Sequence, residues 1–201
     1  VKTHRLTFSL FFKRKHCAMS IKSLCVYCGS RHGSDPAYLE EAENLGRAIA
    51  QEGWRLVYGA GDVGLMGAIA RSAQAAGAPT FGVIPKHLVD WEVGKTDLTS
   101  YVVTETMHER KKVMFMNCDA VVVMPGGAGS LDELFEVLTW RQLGLHDKPI
   151  FLMNVNGYWD PLLALLSHVT AEGFADNTLH GFYTAVPDAE ACRDAVRRAL
   201  S

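Results

Sequence analysis

Ala120-Val121-Val122-Val123-Met124-Pro125-Gly126-Gly127-Ala128-Gly129-Ser130-Leu131-Asp132-Glu133 is the stretch on which the fold turns. Its first five residues are uniformly apolar with three valines at the centre, the pattern of a short parallel strand buried on both faces. After the glycines, Leu131, Leu134, Phe135, Val137 and Leu138 recur at helical spacing, which predicts a helix over residues 131–143. A strand, a glycine turn and a helix in that order bring backbone N–H groups to the positive end of a helix, an arrangement that holds a phosphate without metal. Glu133 sits one turn into that helix, where the sugar of a phosphorylated ligand would lie. A phosphate cradle with a carboxylate beside it points to chemistry on a phosphorylated sugar.

The same rhythm repeats on either side. Strands are predicted at residues 24–28, 55–58, 80–84, 101–104, 120–124 and 150–153, with a weaker one at 183–186. Helices are predicted at 36–52, 65–76, 107–117, 131–143, 159–172 and 188–200. Asp35-Pro36 supplies an N-cap followed by proline at the first helical position, and Gly53 and Gly77 are natural stops. Alternating strands and helices without interior linker or repeat predict one α/β domain over residues 20–201. Its form is a Rossmann-like, doubly wound, mostly parallel sheet with helices on both faces. Ligands of such sheets sit beyond the carboxyl ends of the strands. The segments that matter are therefore 28–30, 59–67, 85–92, 105–111 and 125–133.

At 201 residues, 48% hydrophobic and 21% charged, the composition is that of an ordinary globular protein. A net charge of −2 with both signs interspersed offers no basic field for nucleic acid. No apolar run approaches the roughly 20 residues a membrane span needs. Residues 1–19 stand apart, with Lys2, Arg5, Lys13, Arg14 and Lys15 around a short apolar patch at 8–12. Most of that charge follows the patch, the reverse of a secretory signal. The segment reads as a disordered extension, with the folded protein beginning near Met19. Cys17, Cys25, Cys28, Cys118 and Cys192 are odd in number, which favours a reducing, cytoplasmic setting. Cys25 and Cys28 have redox spacing but fall in a strand, whose alternation sends the two thiols to opposite faces. The eight histidines show no pairing at metal spacing, so no metal is expected.

Gly59-Ala60-Gly61-Asp62-Val63-Gly64 matches the dinucleotide fingerprint. It follows the second strand rather than the first, and the next strand runs into Ile84-Pro85-Lys86-His87 instead of a ribose-binding acid. The segment reads instead as a close-approach loop over a mononucleotide, with Gly67 letting the helix pack near the sheet. Arg110 and Lys111 open the helix after the fourth strand, in Met107-His108-Glu109-Arg110-Lys111-Lys112. They belong either to a solvated face or, lying in the first turn at the ligand edge, to the cradle. Ser130-x-x-Glu133 is equally legible as a capping box and as part of the site. Glu136 and Thr139 extend the same face, and Glu92 is an isolated acid in a loop. Gly-x-Ser-x-Gly is absent, and no lysine has an evident desolvated setting for a Schiff base.

As a set, Tyr58-Gly59-Ala60-Gly61 with Gly64-Leu65-Met66-Gly67, then Met107-His108-Glu109-Arg110-Lys111, then Pro125 to Glu133 strongly resemble the LOG (Lonely Guy) family. These are the cytokinin riboside 5′-monophosphate phosphoribohydrolases. The resemblance runs from about Ile21 to Val186 and includes Thr139-Trp140-Arg141-Gln142-Leu143-Gly144 and Lys148-Pro149-Ile150. It implies hydrolysis of the N-glycosidic bond of AMP or N6-prenyl-AMP to free base and ribose 5-phosphate, by an AMP nucleosidase-like N-glycosidase without cofactor. The family's paired catalytic residues fall on Arg110 and Glu133. Its substrate contacts fall on Glu92, Arg110, Lys111, Gly127, Ala128, Gly129, Ser130, Leu131, Asp132, Glu133 and Thr139. The resemblance also implies a homodimer with the site near the subunit interface.

This chain departs from the family pattern in three places. Ser130 replaces a threonine and keeps its hydroxyl, and Asp132 sets a second carboxylate beside Glu133. Ala60 adds a methyl expected to narrow the approach to the ligand. Two other readings compete with the hydrolase. A non-enzymatic mononucleotide carrier would keep the cradle without needing Arg110 and Glu133 together. A pyridoxal-dependent amino-acid decarboxylase, a label often attached to this family, needs a Schiff-base lysine and a partner for the ring nitrogen, and the sequence marks neither.

Overall fold

The structure, a computed structural model, describes residues 21–89 and 96–201. Its strands are β1 (Ser23–Tyr27), β2 (Arg55–Tyr58), β3 (Thr80–Pro85), β4 (Ser100–Thr104), β5 (Ala120–Val123), β6 (Ile150–Met153) and β7 (Thr184–Val186). They form one sheet in the order β4-β3-β2-β1-β5-β6-β7. Every neighbouring pair is parallel. The helices are α1 (Pro36–Gln51), α2 (Gly64–Ala75), α3 (Met107–Met116), α4 (Ala128–Gln142), α5 (Asp160–Ala171) and α6 (Ala189–Leu200).

Strand alternation sorts the core into two layers. Leu24 and Val26 of β1 and Ala120 and Val122 of β5 share one layer with Leu45 and Ile49 of α1, Ile69 of α2 and Val196 of α6. Cys25, Tyr27, Val121 and Val123 share the other with Met114 of α3, Leu134 and Val137 of α4, and Leu162 and Leu166 of α5. This is the doubly wound α/β arrangement expected from the sequence. Cys25 and Cys28 fall in opposite layers, as strand alternation requires. Strands covered on both faces must read as continuous apolar runs, which is why residues 120–124 are so informative. Among the described residues, no helix is long and apolar enough to cross a membrane.

The sheet reverses at β1. The chain winds outward through β2 and β3 to β4, then returns to place β5 on the other side of β1. The loops after β1 and β5 therefore diverge around a crevice beyond the carboxyl ends of both strands. Gly29 N–H donates to the Pro125 carbonyl at 3.0 Å and ties these two loops together at its floor.

Asp35 caps α1 as expected. One carboxylate oxygen accepts from Ala37 N at 2.9 Å, and the other accepts from the Asn156 amide at 2.9 Å. Predicted boundaries hold to within a residue except at one element. Helix α4 begins at Ala128, three residues before Leu131, with Gly127 at the N-cap and no side chain capping it. Gly127 is thus the N-cap and Gly129 part of the first turn, and only Gly126 stays in the loop before the helix. Glu92 and the 1–19 extension lie outside the described residues.

Candidate active site

Because α4 starts at Ala128, the N–H groups of its first turn have no intrahelical acceptor, and the N-cap Gly127 has no side chain to supply one. Gly127 and Gly129 face open space, since a Cβ at either would meet nothing within 4 Å. Gly126 is constrained by packing instead, because a Cβ there would lie 2.7 Å from Ser130 Cβ and 3.0 Å from Gly29 N. Ser130 is buried at the third helical position. Of the two readings of Ser130-x-x-Glu133, the capping box does not form, because Gly127 already occupies the N-cap. The capping box lies one helix earlier, on α3. Thr106 Oγ1 accepts from Glu109 N at 3.2 Å, and a Glu109 carboxylate oxygen accepts from Thr106 N at 3.3 Å. It fixes the first turn of α3 and so the direction in which Arg110 and Lys111 leave it.

Neither of those cations lies on a solvated face. Arg110 is only 4% exposed. Its Nε donates to the Val83 carbonyl at 3.1 Å and its Nη2 to the Gly59 carbonyl at 2.8 Å, which ties α3 to the carboxyl ends of β3 and β2. A Cβ on Gly59 would collide with Arg110 Nη2. The first glycine of the apparent dinucleotide fingerprint thus makes room for an arginine. Gly64 and Gly67 of that segment also pack on protein, while Met66 of the same segment borders the cavity. Gly67 abuts the Asp62 carbonyl, 2.6 Å from where its Cβ would be. Ala60 is fully buried at φ +60°, with its methyl against Gly82, so it does not narrow the ligand's approach.

Lys111 is buried as well, and its Nζ sits 3.0 Å from Asp132 Oδ2 and 3.1 Å from Glu136 Oε1. Burial pulls the ammonium's pKa down, but the hydrogen bonds to the two carboxylates outweigh it and hold the pKa above the ordinary lysine value. A Schiff-base lysine requires the opposite shift.

A cavity of about 250 Å³ opens in the crevice between the β1 and β5 loops. The structure brings Arg110, Gly127, Ala128, Gly129, Ser130, Asp132 and Glu133 of the predicted set around it. Lys111 lies behind that wall, and Leu131 turns toward the core. Thr139 is exposed and lines a separate apolar hollow with Phe135, Leu165 and Phe174. The cavity is also lined by Cys28, Met66, Leu88 and Met107, which lie in the loops the sequence marked but were not named as site residues. Their one legible signal is that they stand near the carboxyl ends of strands. A second hollow, of about 310 Å³, adjoins the first across Gly29, Ser30 and Gly127 but is bordered by no carboxylate.

An open helix terminus at the switch point of a doubly wound sheet is suited to an anion, and by fold this is a Rossmann-like α/β protein. Residues 66–196 match the family model described as "Possible lysine decarboxylase". A rice (Oryza sativa subsp. japonica) protein named probable cytokinin riboside 5′-monophosphate phosphoribohydrolase LOGL1 is 43% identical over 83% of this chain and 74% of its own. Arabidopsis thaliana cytokinin riboside 5′-monophosphate phosphoribohydrolase LOG1 is 40% identical over 84% of this chain and 79% of its own. The chain belongs to this family, the LOG family. Its fold is shared by the molybdenum cofactor binding protein of Rippkaea orientalis (TM-score 0.71, 23% identity, 92% of this chain and 100% of that one). The Moco carrier protein of Chlamydomonas reinhardtii shares it too (TM-score 0.68, 20% identity, 90% and 98%).

Proposed function

We propose that this chain is a cytokinin riboside 5′-monophosphate phosphoribohydrolase, hydrolysing N6-prenylated AMP, and AMP itself, to the free base and ribose 5-phosphate. The observation that carries the reading is the convergence of Arg110 and Glu133 on the cavity that ends at the uncapped amides of α4. A carrier would need that terminus alone.

The 5′-phosphate takes the N–H groups of Ala128, Gly129 and Ser130, where unsatisfied donors and the helix dipole both favour an anion. Anchored there, the ribose lies toward Glu133, one helical turn on. The C1′–N9 bond breaks with its electron pair passing to the base, leaving an oxocarbenium-like sugar. Glu133 stabilises that positive charge or takes the proton of the attacking water. The water oxygen bonds to C1′, and the displaced proton ends on the departing base. Arg110, held by the Val83 and Gly59 carbonyls, stands as a fixed positive charge that orients Glu133 and the ribose or meets the leaving base. Met66, Leu88 and Met107 offer the purine an apolar wall.

The hollow formed by Phe135, Leu165 and Phe174 is an exposed apolar patch of the kind that marks an association face. It is proposed as the homodimer contact, so that any contact of Thr139 with nucleotide is made across the interface. Cys25, Cys28, Cys118 and Cys192 are buried, with no disulfide among the described residues, which supports a cytoplasmic setting.

Purified protein incubated with AMP or with N6-isopentenyl-AMP, the products being separated by chromatography, tests the reading. Wild type should release free base and ribose 5-phosphate, and Glu133→Gln should lose roughly 10²–10⁴-fold in rate while nucleotide binding stays intact. Tight binding without cleavage would support the carrier. Equal turnover in Glu133→Gln would remove the role given to Glu133.

A further inference from the structure

Two acidic residues bracket Glu133 on α4, Asp132 just before it and Glu136 one turn later. Both reach the same group, the Nζ of Lys111, at 3.0 and 3.1 Å. The Lys111 side chain is 6% exposed, so its ammonium is shielded from water while the two carboxylates approach it from the rim. Lys111 follows Arg110 directly on α3, so these ion bridges join the turn that carries Arg110 to the turn that carries Glu133. Lys111 does not border the cavity. An ammonium shared by two carboxylates at this range has two of its three donors committed and reaches a phosphate only if the bridges break.

We propose that Lys111 is a positioning residue, which locks α3 to α4 through Asp132 and Glu136 and thereby sets the placement of Arg110 against Glu133. The proposal rests on the phosphoribohydrolase reading. It gives the two adjoining carboxylates different duties: Asp132 is committed to the bridge, and Glu133 is the carboxylate that acts on the sugar. It also gives Glu136, which does not border the cavity, a part in the rate. A substrate-binding lysine would act differently. Its loss would weaken nucleotide binding and leave Glu136 without influence.

Steady-state kinetics on Lys111→Met, Lys111→Arg, Glu136→Gln and the Lys111→Met/Glu136→Gln double variant separate the two roles. A slip of about 1 Å at a reacting centre costs up to about 100-fold in rate, so Lys111→Met should lower kcat by roughly 10- to 100-fold. KM should stay within about threefold of wild type. Lys111→Arg should recover most of the loss. Glu136→Gln should lower kcat in the same sense, and the double variant should be no worse than Lys111→Met alone. A KM raised roughly tenfold with kcat intact in Lys111→Met, alongside wild-type kinetics in Glu136→Gln, would overturn the proposal. If Lys111→Met fails to fold, Lys111→Arg and Glu136→Gln decide by the same split of kcat against KM. Absence of cleavage by wild type overturns the phosphoribohydrolase reading and this role with it. An active wild type with unaffected variants overturns only the role of Lys111.

Discussion

Replacing Gly59 with alanine tests how the site is held from behind. The added Cβ would overlap Arg110 Nη2 and lie 2.9 Å from Cζ and 3.4 Å from Nε. Gly59 is not among the glycines of positive φ, so its backbone accepts alanine without strain and the cost comes from the collision alone. To make room, the guanidinium must leave the Gly59 carbonyl, a hydrogen bond of 2.8 Å from a charged donor. Such a bond contributes about 1.5–3 kcal/mol. In a chain of this size that loss lowers Tm by roughly 3–12 °C. Arg110 would also be displaced relative to Glu133, and kcat/KM should fall by about 10²-fold. Thermal melting and nucleotide cleavage read the two effects separately. The same substitution in an Arg110→Ala background gives the methyl nothing to strike, and its stability cost there should shrink to under about 0.5 kcal/mol. An equal cost in both backgrounds, or a Gly59→Ala protein with wild-type Tm and kcat/KM, would refute the reasoning.

Asp35→Ala removes the N-cap of α1 together with the Asn156 contact and should lower Tm by roughly 2–4 °C at neutral pH. The Asn156 hydrogen bond, then the Ala37 N–H, hold this carboxyl below its ordinary value in the folded chain. Its contribution is therefore complete above the unfolded-state pKa of about 3.9 and fades as pH falls through the folded value, so the two melting temperatures should converge in acid. A gap that widens on acidification counts against this account. Phe174→Glu places a charge at an 86% exposed position on the apolar hollow and should shift sedimentation equilibrium from dimer to monomer. A wild type already monomeric would remove the proposed dimer face.

Much of the fold was legible because its determinants are local. β1 and β5 bury both faces and so read as unbroken apolar runs, and Asp35-Pro36 marks the start of α1 within two residues. The start of α4 was not legible. Glycine is among the poorest helix formers, so Gly127 and Gly129 read as loop, and the fit of Gly126 against Ser130 and Gly29 that fixes this turn is visible only once folded. Thr106-x-x-Glu109 and Ser130-x-x-Glu133 carry the same pattern, yet only the first caps a helix. The pattern does not say where the helix begins. The candidate site divides in the same way. Arg110 and Glu133 could be named from their motifs, but the carbonyls of Val83 and Gly59 that accept from Arg110 lie 27 and 51 residues away, and the bridge from Lys111 to Asp132 spans 21. No local periodicity encodes such pairings.

The treatment of the helix ends carries the same division between scaffold and site. Asp35 caps α1, Thr106 caps α3 and Asp188 caps α6, each through its side chain. Helices α2 and α5 also lack a side-chain cap, but at α2 Leu65 N–H finds the Gly29 carbonyl at 3.0 Å, and α5 carries an acid, Asp160, and a proline in its first turn. Helix α4 has a glycine at its N-cap and another, Gly129, in its first turn, so it forgoes about 1 kcal/mol that a serine or aspartate would contribute at the N-cap. An aspartate at Gly127 would recover that stability, but its carboxylate would occupy the space the proposed reading gives to a phosphate oxygen. The open end is therefore a stability cost accepted at the one helix whose terminus faces Arg110 and Glu133. A bound nucleotide would supply the missing acceptors and return that stability in proportion to its saturation.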